Sequence, residues 1–188
     1  MILGLDVSTS FVGVTALNPD GELISCEAID LRKIKDYFKK NDLIKIINEN
    51  ISLMSELDSS INISLNNKEE NLFINCDAEQ LNRIFINLLK NSIESINEKF
   101  TKKADFTKKI DIEINAKDDY IEICITDNGI GFEDKDLTKI LKPYFTTKKN
   151  GSGLGLPIVN KIINDHNGDI KFNSDLIGTN ITINLPTK

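Results

Sequence analysis

After Asp77, apolar side chains recur at Leu81, Ile84, Phe85, Leu88, Leu89 and Ile96, with Ser92 on the same arc. Spacings of three and four predict a helix that buries one stripe. Asp77 stands at its N-cap, with Gln80 at the reciprocal capping-box position. A second helical pattern runs through Leu43, Ile44, Ile46, Ile47, Ile51 and Leu53, capped by Asn41 or Asp42. A third helix covers LGLPIVNKIINDH (154–166), with Pro157 in its first turn and Asn167-Gly168 at its end. Between the helices the period falls to two. KIDIEINAK (109–117) and YIEICITD (120–127) alternate apolar and polar around Asp118-Asp119, as half-buried antiparallel strands do. DIKFNS and TNITINLP predict a final hairpin around Leu176–Gly178, and INISL (61–65) with LFINC (72–76) reads as a strand pair. At the start, ILGLDV (2–7), FVGVTAL (11–17) and ELISCEAIDL, entered through the turn NPDG, predict three strands. The charged stretch RKIKDYFKKND reads as a junction, which divides the chain into residues 1–38 and 39–188.

The 188 residues, 40% of them hydrophobic, suffice for one domain or one plus a fragment. A net charge of -6 argues against a broad nucleic-acid surface, and Lys102, Lys103, Lys108 and Lys109 read as a solvated loop. Cys26, Cys76 and Cys124 each sit in an apolar run without metal-ligand spacing, which fits buried, reduced thiols. Neither a membrane-length apolar run nor a secretory signal is visible, so a soluble cytoplasmic protein is expected.

The chemistry gathers after Asp127. A carboxylate at a strand end can accept a hydrogen bond from an exocyclic amine, and Gly129 and Gly131 let the backbone approach a flat base. Asp-Asn-Gly is also common turn chemistry. Gly151, Gly153 and Gly155 precede a helix whose free N–H groups and dipole favour an anion, although the same glycines suit a hinge. No GKS or GKT follows, so a P-loop is excluded, and the lid-like run before the glycines disfavours a dinucleotide fold. Asn87 and Asn91, one turn apart, can offer amide oxygens to a magnesium ion or simply face water. Lys148 and Lys149 can reach a terminal phosphate or remain solvated.

In this order, NLLKN, DNGIG, PYFTTK, GSGLGL and Gly178-Thr179 resemble the N, G1, F and G2 boxes and the last nucleotide box of the GHKL superfamily, which includes histidine kinases, gyrase, Hsp90 and MutL. The run KPYFTTKKNGSGLGLPIVNKIINDHNGDI is similar to nitrogen-regulation-type sensor histidine kinases. The resemblance covers roughly residues 40–188 and implies an α/β Bergerat fold: a mixed, mostly antiparallel sheet with helices on one face. It also implies ATP and Mg2+ as cofactors, with Asn91 the principal metal ligand and Asn87 its neighbour. Asp127 becomes the adenine contact and Thr179 a water-mediated one, with Gly129, Gly131, Lys148, Gly151, Gly153, Leu154 and Gly155 completing the ATP site. Where many histidine kinases carry a lysine and an aromatic, this chain has Glu94 and Ser95, so adenine stacking is expected on aliphatic groups.

Family members that hydrolyse ATP carry glutamate where this chain has Asn87, which cannot take a proton at neutral pH. Transfer to a histidine on a separate dimerisation domain, and onward to a response regulator, is therefore the expected activity. A binding-only ATP module is the alternative. The single histidine, His166, ends a helix and reads as a dipole partner rather than an acceptor, so the chain alone is not expected to label itself; with no dimerisation hairpin legible before the kinase-like part, a monomer is expected. Residues 1–38 resemble the opening strands of an RNase H-like fold, as in RuvC-type resolvases, with Asp6 at the first metal carboxylate. Too few carboxylates follow for two-metal chemistry, so a truncated, non-catalytic fragment is expected, with a nucleic-acid-processing remnant as the other reading.

Overall fold

The computed structural model describes residues 39–102, 105–132, 139–148, 151–174 and 177–187, and the backbone alone of 2–7, 11–17 and 23–30. It divides into two compact units, Met1–Lys39 and Lys40–Lys188. In the first, strands β1 (Ile2–Val7), β2 (Phe11–Leu17) and β3 (Leu23–Asp30) form an antiparallel sheet in that order. The expectation for Asp6 rests on a side chain outside the described residues.

The second unit is an α/β layer structure. Its five-stranded sheet runs in the order β5 (Asn62–Asn67), β7 (Lys109–Ala116), β8 (Tyr120–Asp127), β10 (Thr179–Pro186), β9 (Asp169–Ser174). Only β5 and β7 pair in parallel; the other pairs are antiparallel. The alternation seen in the sequence sends Ile110, Ile112, Ile121, Ile123, Ile125, Ile181 and Ile183 to one face, all almost fully buried. Helices α1 (Leu43–Leu57), α2 (Ala78–Lys102) and α3 (Gly155–Asp165) cover that face and complete the core. The buried positions of α2 are the predicted Leu81, Ile84, Phe85, Leu88, Leu89, Ser92 and Ile96. Cys76 is buried in the same core, and desolvation pushes its thiol pKa up to about 11, which makes it inert.

Two local expectations are corrected. INISL and LFINC are not a pair: β5 joins the main sheet, while β6 (Phe73–Cys76) forms a separate two-stranded sheet with β4 (Lys39–Asp42). The linking residues 68–72 carry no two-residue turn to force a hairpin, so the strands part. The end of the supposed junction is thereby a strand, and its Asp42 caps α1 by accepting from the Ile44 N–H at 3.1 Å and the Leu72 N–H at 3.2 Å. The capping box of α2 is half made. Asp77 Oδ1 accepts from the N–H groups of Glu79 and Gln80, but the Asp77 N–H donates to His166 Nε2 at 3.2 Å, leaving the buried Gln80 Oε1 without a partner.

Of the lysine cluster, Lys108 is not a simple solvated charge. Its ammonium donates to Asn97 Oδ1 and Ser60 Oγ and lies over the Phe100 ring, tying α2 to the start of β7.

Candidate functional site

Three elements converge beyond the end of β8. Helix α2 supplies Asn87, Asn91 and Ser95, four apart and therefore on one side of the helix, with Ser92 three residues before Ser95 on the adjoining buried edge. The end of β8 supplies Asp127, and the start of β10, its register partner, supplies Thr179. Phe145–Lys148 and, at the entry to α3, Gly151, Ser152, Gly153 and Gly155 complete the lining. They enclose a cavity of about 530 Å³, within the range of small-molecule sites. Of the predicted residues, Asn87, Asn91, Asp127, Gly131, Lys148, Gly151, Gly153, Gly155 and Thr179 line it; Gly129 and Leu154 do not. Lys149 lies outside the described residues.

Asp127 is 5% exposed at the base of the cavity. Its Oδ2 accepts from Ser92 Oγ at 2.9 Å and its Oδ1 from the Gly129 N–H at 2.9 Å, so the Asp-Asn-Gly turn and the carboxylate are one device. Burial raises its pKa above the ordinary carboxylate value. The Gly129 N–H, the Ser92 hydroxyl, the Thr179 backbone and the Lys99 charge pull the other way.

Gly129 has a different task from the one expected. A Cβ there would stand 2.2 Å from Ser95 Oγ, so the glycine lets the turn pack directly on α2, where Ser95 Oγ accepts the Ile130 N–H. Gly153, at φ +66°, is pressed backbone to backbone against Tyr144 and Phe145, and its carbonyl accepts the Tyr144 N–H at 3.0 Å. Leu154 is the N-cap of α3 and its own side chain makes no capping bond, while its N–H donates to Ser152 Oγ at 3.3 Å.

The two amides differ. Asn87 Nδ2 donates to the Arg83 carbonyl at 2.7 Å, and its Oδ1 abuts Gly155, where a Cβ would come within 2.9 Å. Asn91 Oδ1 faces the Lys148 ammonium at 3.4 Å, and the same ammonium forms an ion pair with Glu94. That cluster is an all-oxygen donor set around a positive charge, the chemistry a hard divalent cation needs. Among the described residues no group of three or more His, Cys, Asp or Glu side chains converges, so a metal here would depend on amide oxygens and on its ligand's own oxygens.

Aliphatic walls come from Ile130, Ile140 and Ile181, but Phe132 and Phe145 line the cavity too, so the apolar surface is not purely aliphatic. Ser92 and Ser95 were legible only as a polar break in an apolar stripe and as a departure from a motif. Lys99, whose ammonium binds three backbone carbonyls beside Asp127, gave no signal. His166 is 5% exposed, with Nδ1 on the Ile162 carbonyl at 2.8 Å and Nε2 accepting from Asp77, away from the cavity lining.

Residues 76–188 match the family described as histidine kinase-, DNA gyrase B- and HSP90-like ATPase, and the chain belongs to that family. It thus holds a nucleotide-binding domain of the histidine-kinase type. Sporulation kinase B of Bacillus subtilis (strain 168) is 39% identical over 163 residues, 84% of this chain and 36% of that protein. A Rickettsia conorii protein named as an NtrY-like sensor histidine kinase is 34% identical over 152 residues, 80% of this chain and 24% of that protein. The chain therefore spans about a quarter to a third of the length of these relatives. The nucleotide-free catalytic domain of histidine kinase ThkA superposes with a TM-score of 0.69 at 27% identity, covering 80% of this chain and 95% of that one. The mycobacterial sensor histidine kinase MprB shares the fold at 22% identity, with a TM-score of 0.69 over 80% of this chain and 98% of that one. Among the described residues, no helix is long and apolar enough to cross a membrane.

Proposed function

We propose that this chain is the ATP·Mg-binding catalytic domain of a sensor histidine kinase, which passes the γ-phosphate to a histidine on a separate dimerisation domain and thence to a response regulator. The observation that carries the reading is that Asn91, Asp127 and the Gly153 loop share one cavity. In it, Asp127 accepts the adenine amine, Thr179 supports the same edge, and the start of α3 with Gly151, Gly153 and Gly155 faces the phosphates. Asn91, with Asn87 beside it, would hold the magnesium ion, which when bound neutralises phosphate charge. Lys148 leaves Asn91 and Glu94 to meet the terminal phosphate.

Asn87 favours transfer over hydrolysis, because an amide cannot deprotonate water. With little covalent work required of the protein, positioning and charge neutralisation carry the reaction. The buried His166, engaged at both ring nitrogens, is not the acceptor.

The test mixes the chain with γ-labelled ATP, magnesium and the dimerisation domain of a sporulation kinase or NtrY-like relative. Acid-labile phosphate on the added domain, and none on the chain alone, is the expected result. A module that only binds ATP would give no label on either. Asn91→Ala is expected to remove most of the magnesium dependence of ATP binding, read by titration with and without the metal.

A further inference from the structure

Lys99 stands two turns beyond Asn91 on α2, and all three of its ammonium hydrogens are committed. Nζ donates to the Asn128 carbonyl at 2.8 Å, the Gly129 carbonyl at 2.9 Å and the Ile177 carbonyl at 3.0 Å. The first two acceptors belong to the turn after Asp127, and the third lies two residues before Thr179, at the entry to β10. A smaller tie crosses the same gap: the Phe132 N–H donates to Ser174 Oγ, which donates to the Gly178 carbonyl. Three carbonyl oxygens crowded together repel one another unless a cation sits among them. The lysine ammonium lies where it offsets that repulsion between Asn128 and Gly129 on one side and Ile177 on the other.

We propose that Lys99 is a positioning residue of the nucleotide site: by drawing these carbonyls together from α2, it sets the spacing of Asp127 and Thr179 that an adenine edge requires. The proposal rests on the nucleotide reading above and extends it to a residue that does not line the cavity. The placement also has an electrostatic effect. To the cavity α2 presents Lys90, Glu94 and Glu98, and Phe145–Lys148 presents Lys148, while Lys99 stands outside the lining; of these, Lys99 is the one whose charge favours the ionised form of Asp127.

The test uses the full chain and its Lys99→Met and Lys99→Arg variants. Met keeps the aliphatic stem beside Phe106 but removes the charge and the donors. Each protein is titrated with ATP and with GTP in magnesium across pH 5–9, and thermal unfolding is recorded without nucleotide. Lys99→Met is expected to weaken ATP binding on the order of tenfold, the scale of one charged hydrogen-bonded contact. Its preference for ATP over GTP should narrow. The acid edge of its ATP binding should move to higher pH than wild type, because Asp127 holds its proton longer without the lysine. Lys99→Arg should restore most of all three.

A Lys99→Met protein with a lowered Tm but wild-type ATP affinity, nucleotide preference and acid edge would reduce Lys99 to a structural tie and overturn the proposal. Should Lys99→Met not fold, Lys99→Gln, a neutral donor, is read by the same criteria. Failure of the unaltered chain to bind ATP overturns the nucleotide reading and this proposal with it. Binding by wild type with no change in the variants overturns this proposal alone.

Discussion

A carboxylate sealed between a helix and a strand end must give up water, and Asp127 recovers that loss only in part through Ser92 and the Gly129 N–H. Its folded-state pKa is raised, so the native protein binds this proton more tightly than the unfolded chain does. The sign follows from linkage: the group lowers stability as pH rises from the unfolded carboxylate value through the folded one, and the full penalty is present above both. Asp127→Asn removes that charge, while its amide oxygen can still accept from Gly129 and its NH2 can donate to the reversible Ser92 hydroxyl. Thermal unfolding at neutral pH is expected to show Asp127→Asn at least as stable as wild type, with the advantage vanishing at acid pH. ATP affinity should fall by roughly 10- to 100-fold, as expected for loss of a charged hydrogen bond. A Tm well below wild type at neutral pH would contradict this account.

At the scale of elements, Gly178 at the entry to β10 meets the end of β8 without room to spare. A Cβ on Gly178, whose φ is +158°, would lie 1.9 Å from the Asp127 carbonyl oxygen. Gly178→Ala must push the hairpin off the base of the cavity, costing about 1–3 kcal/mol of stability. ATP affinity should fall in parallel, both read from denaturant melts and titration. Regular elements with one buried face were open to reading: the stripe of α2 and the alternation of β7, β8 and β10 repeat at the period of their own backbone. Pairing was less open. Lys39–Asp42 has no apolar alternation to mark it as a strand, and nothing local in INISL and LFINC states that they join different sheets. Nor could Gln80 reveal that its reciprocal bond is displaced by His166, 89 positions from Asp77. In the site, side chains that meet a ligand carry recognisable motifs. Lys99 carries none, because its partners are backbone carbonyls that any sequence possesses.

For the whole molecule, the second unit contains every described residue of the cavity and its own core. We propose that residues 39–188 form an autonomous nucleotide-binding domain, the residues before them taking no part in it. A chain beginning at Lys39 is then expected to bind ATP within about twofold of the full chain, a difference of under about 0.5 kcal/mol. A loss of tenfold or more would give the first unit a part in the site.

The lone parallel pair has a further consequence. Strand β5 reaches β7 through the crossover of β6 and α2, stands at the edge of the sheet and has no fully buried residue, so its ladder is expected to open before those at the centre of the sheet. In deuterium exchange, amides of Asn62–Asn67 should become labelled well before those at the centres of β8 and β10. Saturating ATP should slow them even though no β5 residue touches the cavity, since a ligand that grips α2 also restrains the crossover on which that edge depends.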